Sequence, residues 1–191
     1  MPTFRTSQAV SAADVAAEQQ PHLVLVGLPG AGKTSVGRAV AEQLGRRFLD
    51  FDAEIERREG VSIAEIFASS GEQHFRALER RLSESLRDER GYIVSPGGGW
   101  IANPGCLEAL RPPSVLVYLQ IEPTRALKRM AGAAQSRPLL RRADPLAELT
   151  KLLADREPLY LLADHTVRVD FLRESEVVSR IVALARGELQ D

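Results

Sequence analysis

The sequence holds one cysteine, Cys106, in 191 residues. A lone thiol excludes an internal disulfide and any metal site built on several cysteines, and it suits a reducing compartment. An excess of charge of one sign is also missing. Lys and Arg number 25 against 26 Asp and Glu, a formal net charge of −1. Nothing global therefore recruits nucleic acid or an anionic membrane. Basic residues pair at Arg46-Arg47, Arg57-Arg58, Arg80-Arg81 and Arg141-Arg142, which reads as solvated helix faces and loops. No apolar run approaches the roughly 20 residues that span a bilayer, and the first twenty residues lack the apolar segment of a signal peptide. Internal repeats and low-complexity tracts are absent too. The expectation is a cytoplasmic protein with a poorly ordered extension over residues 1–20, ended by Pro21, and a single domain over 21–191.

What is there is an alternation. Apolar residues make up 44%, enough for a proper core. Strands are predicted at "LVLV" before Gly27, "RRFLDFD", "GYIVS", "SVLVYLQI" and "HTVRVD". Helices are predicted over 33–44, 53–59, from Ser62, over 72–90, 104–110, 123–130, 145–163 and 174–187. Ser62 and Glu65 have capping-box spacing. Residues 131–144, "AGAAQSRPLLRRAD", have loop composition. Strands alternating with helices imply an α/β fold: a central parallel five-stranded sheet between helical layers.

The densest glycine cluster lies in "GLPGAGKTS". Gly27, Gly30 and Gly32 precede Lys33 and Thr34, between a predicted strand and a predicted helix. This is the phosphate-loop pattern in the context that gives it meaning. Glycines let the loop turn its N–H groups toward an anion, and the following helix adds its positive end. Gly30, Ala31, Gly32, Lys33, Thr34 and Ser35 then cradle a nucleoside triphosphate, with Lys33 on the phosphates and the Thr34 hydroxyl toward Mg²⁺. The loop alone does not name the acceptor.

Acceptor-side candidates follow. Asp50 and Asp52 stand two apart at a strand end, where both carboxylates would face the ligand-binding edge of a parallel sheet. One would hold Mg²⁺ through water and the other take a hydroxyl proton; a pair of surface or capping aspartates has the same spacing. "GGG" at 97–99 marks a close backbone approach or a flexible turn. Arg76 would either snorkel or clamp an anion. Arg156 before "EPLY" is equally open, and Arg137-Pro138 lies in a segment that suits a mobile lid.

Together these residues resemble shikimate kinase. The motifs "GLPGAGKT", "FLDFD", "SIAEIFASSGEQHFR", "SPGGG", "SRPLL" and "DREPLY" occur in that family's order from about residue 22 to 186. The resemblance implies a phosphate-loop kinase of three-layer form, with a small acceptor-binding helical region and a lid at about 131–144. It implies phosphorylation of the 3-hydroxyl of shikimate by ATP with Mg²⁺, on the route to aromatic amino acids. Asp52 would orient that hydroxyl or act as base, and Asp50 would organise Mg²⁺ with Thr34. Arg76 and Arg156 would grip the shikimate carboxylate beside Gly98 and Gly99, with Glu79 orienting Arg76 and Phe67 and Phe75 walling the pocket. Ser95 takes the place of a second metal-side aspartate. Arg137 would descend from the lid onto the phosphates, and Arg129 and Arg173 would flank adenine. The implied partners are small molecules only, with no nucleic acid and no membrane, and the implied state is a monomer. Trp100 departs from the family pattern, where a smaller residue is expected, and would pack under the pocket or narrow it. His74 is read as a lone exposed helix histidine without a role. Two rivals share the fold: a gluconate or nucleoside monophosphate kinase, and a ligand-sensing module of a transcriptional regulator. The acceptor motifs argue against the first. Against the second, Lys33, Asp50, Asp52, Arg76 and Arg156 are all retained, and residues 1–20 are too short for a helix-turn-helix.

Overall fold

The computed structural model describes residues 19–131 and 143–188. Most of the expected extension and most of the lid segment, Arg137 included, therefore lie outside the described residues. Five strands form one sheet: β1 (Leu23–Val26), β2 (Arg47–Asp50), β3 (Tyr92–Ser95), β4 (Val115–Gln120) and β5 (His165–Arg168). Every pairing is parallel, in the order β2-β3-β1-β4-β5. All four residues of β1 are buried, as expected of a strand flanked on both edges and covered on both faces.

Alternation along the strands sends side chains into two cores. Leu23 and Leu25 face a cluster with Val36, Val40, Ala126, Leu149, Val178 and Ile181. Val24 and Val26 face the other, with Phe51, Ile55, Phe75, Leu82, Trp100 and Tyr160. The first layer is built by α1 (Lys33–Leu44), α5 (Pro123–Met130) and α7 (Glu174–Ala185). The second is built by α2 (Phe51–Glu59), α3 (Ile63–Ser85), the 3₁₀ turn Trp100–Ala102 and α4 (Cys106–Leu110). Helix α6 (Pro145–Tyr160) places Leu149 in the first core and Tyr160 in the second.

Local signals explain most boundaries. The Ser62–Glu65 capping box forms as the spacing predicts, with the Glu65 carboxylate accepting from the Ser62 N–H at 2.8 Å. Gly45 closes α1 at φ 63°. The two helices expected around Gly71 run on as α3, but Gly71 itself is non-helical at φ 78°, ψ 172°. The expected break is therefore present as a kink. Helix α3 ends at Ser85, short of the expected 90, and β5 ends at Arg168, short of the expected Asp170. Strand β2 stops at Asp50, and Phe51 already opens α2. Asp52 is thus in the first helical turn, not on the strand as its spacing suggested. His74 is half-buried rather than exposed.

Candidate active site

At the carboxyl edge of the sheet, the phosphate loop joins β1 to α1. Gly30 and Gly32 hold φ 86° and 97°, conformations that disfavour residues with a Cβ. The first turn of α1 has no side-chain cap, so its N–H groups remain to face an anion. Lys33 Nζ donates to the carbonyls of Gly27 (2.9 Å) and Leu28 (3.1 Å), which folds the ammonium back over the loop.

Asp50 does two jobs. Its Oδ1 accepts from the Ala53 N–H at 3.3 Å and caps α2, while Oδ2 accepts from the Thr34 hydroxyl at 2.7 Å. Ser95 Oγ lies 3.5 Å from the same hydroxyl. Thr34, Asp50 and Ser95 make a small set of hard oxygen donors, the kind that suits Mg²⁺ shared with phosphates and water. No cluster of three or more His, Cys, Asp or Glu side chains offers a self-sufficient metal cage among the described residues.

Asp52 shares the cleft with the loop, and Gly30 to Ser35, Asp50, Ser95, Gly97 and Gly98 line it too. Its surface is open to the cleft, yet burial of the carboxyl, with further repulsion from Asp50 and Glu79, pushes its pKa up to about 6. The cleft holds about 1820 Å³, more than one drug-sized ligand fills, and this suits two co-substrates side by side.

Beyond Asp52 the glycine triad meets the arginines. A Cβ on Gly99 would stand 2.5 Å from Arg76 Nη1, so the guanidinium packs directly against that backbone. Arg76 Nη1 donates to Glu79 Oε2 at 2.7 Å, and Nη2 donates to Glu72 Oε1 at 2.8 Å. Glu79 thus contacts the residue it was expected to orient. Glu79 has no exposed side-chain surface, and burial pushes its carboxyl up against the pull of Arg76 and Asn103. Arg156 Nη1 donates to the Gly98 carbonyl at 2.8 Å, so both arginines of the predicted pair reach the triad. Phe67 lines the cleft; Phe75 is buried behind it with ring centroids 5.0 Å apart and supports the wall rather than forming it.

At the other end, Arg129 lines the cleft and donates to the carbonyls of Ala31 and Val169. Arg173 does not face inward. Its side chain is 84% exposed and pairs with Glu176 at 3.2 Å, while Leu172, Glu174 and Val177 line the cleft instead. A cationic side chain at a helix start is drawn to the first-turn acids, which residue spacing alone did not reveal. Trp100 resolves to packing under the pocket: it is fully buried, and its indole N–H donates to Ser83 Oγ at 2.9 Å.

Sequence reasoning passed over two residues at this end. Tyr160 donates to the Gly98 carbonyl at 3.2 Å alongside Arg156, and its i+4 spacing from Arg156 was the available signal. Asn103 Nδ2 donates to the Arg76 carbonyl at 2.8 Å and to Glu79 Oε2 at 3.1 Å. No local pattern announces that contact.

Comparison with known proteins agrees with this geometry. The family model of shikimate kinase matches residues 29–186. The shikimate kinase of Mycobacterium avium (strain 104) is 44% identical over 169 residues, covering 85% of this chain and 94% of the relative. That of Synechococcus sp. (strain CC9605) is 39% identical, covering 88% and 84%. Among solved structures, shikimate kinase from Acinetobacter baumannii in complex with shikimate superposes with TM-score 0.84 at 36% identity, covering 93% of this chain and 99% of that one. A gluconokinase from Sinorhizobium meliloti 1021 has TM-score 0.58 at 20% identity and shares the fold alone. With a matching family model and close relatives spanning most of its length, the chain belongs to the shikimate kinase family, the enzymes that phosphorylate shikimate with ATP.

Proposed function

We propose that the cleft shared by the phosphate loop and Asp52 is where the chain performs its family's reaction, with Asp52 orienting the acceptor hydroxyl. The activity itself is ATP-dependent phosphorylation of shikimate to shikimate 3-phosphate. The observation that carries the site reading is that the Asp52 carboxylate and the phosphate loop line one cleft.

The loop N–H groups and Lys33 hold the β- and γ-phosphates. Arg76 and Arg156 hold the acceptor carboxylate in a charge-assisted fork against Gly98 and Gly99. The acceptor 3-hydroxyl oxygen then stands in line with the γ-phosphorus. As its bond to phosphorus forms, the bond from the γ-phosphorus to the β–γ bridging oxygen breaks and ADP leaves. The hydroxyl proton passes to the Asp52 carboxylate. Thr34 and Asp50, with Ser95 beside them, are the residues that would hold Mg²⁺, which when bound neutralises phosphate charge. Arg137 would add a further cation on the phosphates, and Arg129 would sit by adenine. Since phosphoryl transfer is mostly positioning and charge neutralisation, a weak base suffices. We place the reaction in the cytoplasm, carried out by a monomer. The single cysteine supports the cytoplasmic placement.

The test is ADP release with shikimate and, in parallel, with gluconate. Wild type should turn over shikimate and not gluconate. The Arg76→Ala enzyme should lose apparent shikimate affinity by tenfold or more, about the worth of a charge-assisted hydrogen bond, while ATP binding survives. Equal loss for both substrates would overturn the assignment of Arg76.

A further inference from the structure

The turn after the glycine triad is tied to α3 at both ends. At its start Trp100 Nε1 donates to Ser83 Oγ at 2.9 Å, and Ser83 Oγ donates to the Glu79 carbonyl at 2.9 Å. At its end Asn103, itself buried, uses Nδ2 for two acceptors. One is the backbone carbonyl of Arg76, at 2.8 Å; the other is Glu79 Oε2, at 3.1 Å, the same oxygen that Arg76 Nη1 reaches at 2.7 Å. The second carboxylate oxygen, Glu79 Oε1, has no hydrogen-bond partner among the described residues. It faces Gly97: a Cβ there would lie 3.3 Å from Glu79 Oε1 and 3.0 Å from Asp52 Oδ1.

We propose that Asn103 is a positioning residue for the acceptor. It fixes the Glu79 carboxylate so that Oε2 holds Arg76 and Oε1 stays turned toward Gly97 and Asp52. The terminal torsion of a glutamate is broad, so one donor leaves the carboxylate free to swing. A second donor on the same oxygen, anchored at the carbonyl of the very residue being oriented, sets its plane. Among uncharged or acidic side chains of this size, an amide does this. Its NH₂ group carries two hydrogens for two acceptors, a hydroxyl carries one, and an ionised aspartate carries none. The proposal rests on the reading of Arg76 and Glu79 as the acceptor clamp.

The experiment is steady-state kinetics of ADP release for Asn103→Ala, Asn103→Ser, Glu79→Leu, Asn103→Ala combined with Glu79→Leu, and Arg76→Ala. Asn103→Ala should raise the shikimate KM about tenfold and leave the ATP KM unchanged. Asn103→Ser, with one donor left, should fall between, and it keeps the test open should the alanine variant fail to fold. Added to Glu79→Leu, which removes the acceptor oxygens, Asn103→Ala should do nearly nothing more, since Asn103 acts through Glu79. The proposal is overturned by a normal shikimate KM in Asn103→Ala, by an equal rise in both KM values, or by the full tenfold rise persisting on the Glu79→Leu background. If Arg76→Ala itself keeps a normal shikimate KM, the clamp reading fails and the proposal falls with it. An impaired Arg76→Ala beside a normal Asn103→Ala removes the proposal alone.

Discussion

Asp52 is harder to ionise than an ordinary aspartate. Burial first, then repulsion from Asp50 and Glu79, raises it to about 6. As the group that takes the acceptor proton it must be ionised, so kcat/KM for shikimate should fall as pH drops through about 6 rather than near 4. A rate–pH profile checks this, and Asp52→Asn should remove that limb while lowering kcat by about a hundredfold or more. Near-normal turnover in Asp52→Asn with normal shikimate affinity would strip Asp52 of its role. The same shift has a stability side. An acid whose folded pKa lies above its unfolded value favours the fold at low pH and loses that contribution as pH rises through about 6. Asp52→Asn should therefore melt higher than wild type at pH 7.5, with the gap narrowing as pH falls below about 6 and gone near pH 4. Asp50 shows the opposite use of the same residue type: its two oxygens are taken up by a helix start and by Thr34.

Helix α3 is one element with two jobs, and Gly71 separates them. Its first half supplies Phe67 to the cleft wall; its second half supplies Arg76 and Glu79. At φ 78° Gly71 turns the chain where a Cβ is disfavoured, although the space around it is open. Gly71→Ala should cost about 1 kcal/mol or more in urea unfolding, through strain alone. Gly99→Ala is a different experiment. There the backbone is ordinary, but the new methyl would meet Arg76 nitrogens at 2.5 and 2.6 Å. It should raise the shikimate KM at least tenfold and lower the unfolding free energy as well, because the displaced guanidinium leaves the buried Glu79 carboxylate without its partner. Both glycines stand in one sequence as the same letter, and only their surroundings tell strain from collision.

The sheet order decides which loops meet. Placing β1 between β3 and β4 brings the phosphate loop, which follows β1, beside the glycine triad, which follows β3. The opposite edge of the sheet carries no part of the proposed reaction, yet it holds a titratable joint. His22 Nδ1 accepts from the Tyr92 N–H at 3.2 Å, and Nε2 meets the Leu86 carbonyl at 3.1 Å. Burial, helped by Arg46 and Arg90, holds its pKa below 6.5. A protonated ring would lose its acceptor. A histidine depressed in the fold supports stability above its unfolded pKa, and that support is lost as pH falls below 6.5 toward its folded pKa. Between pH 7.5 and 5.5 the wild type should therefore lose more unfolding free energy, or gain less, than His22→Gln. That difference belongs to the fold alone, so the shikimate KM at pH 7.5 should be the same in both.

The sequence by itself determined the alternating layers, the phosphate loop, the capping box at Ser62 and the family, because each rests on spacing along a few residues or on motifs in order. It also placed Arg76, Glu79 and Arg156 near one another through the resemblance. Only the tertiary structure decided that Asp52 sits on a helix rather than a strand, that Arg173 turns outward to Glu176, and that Trp100 is a buried anchor. The bond from Asn103 to Glu79 and the meeting of Gly99 with Arg76 belong there too. These depend on how α3 and the turn after β3 are brought together across the sheet edge. Contacts between residues that far apart in the chain are set by packing, which no local pattern encodes.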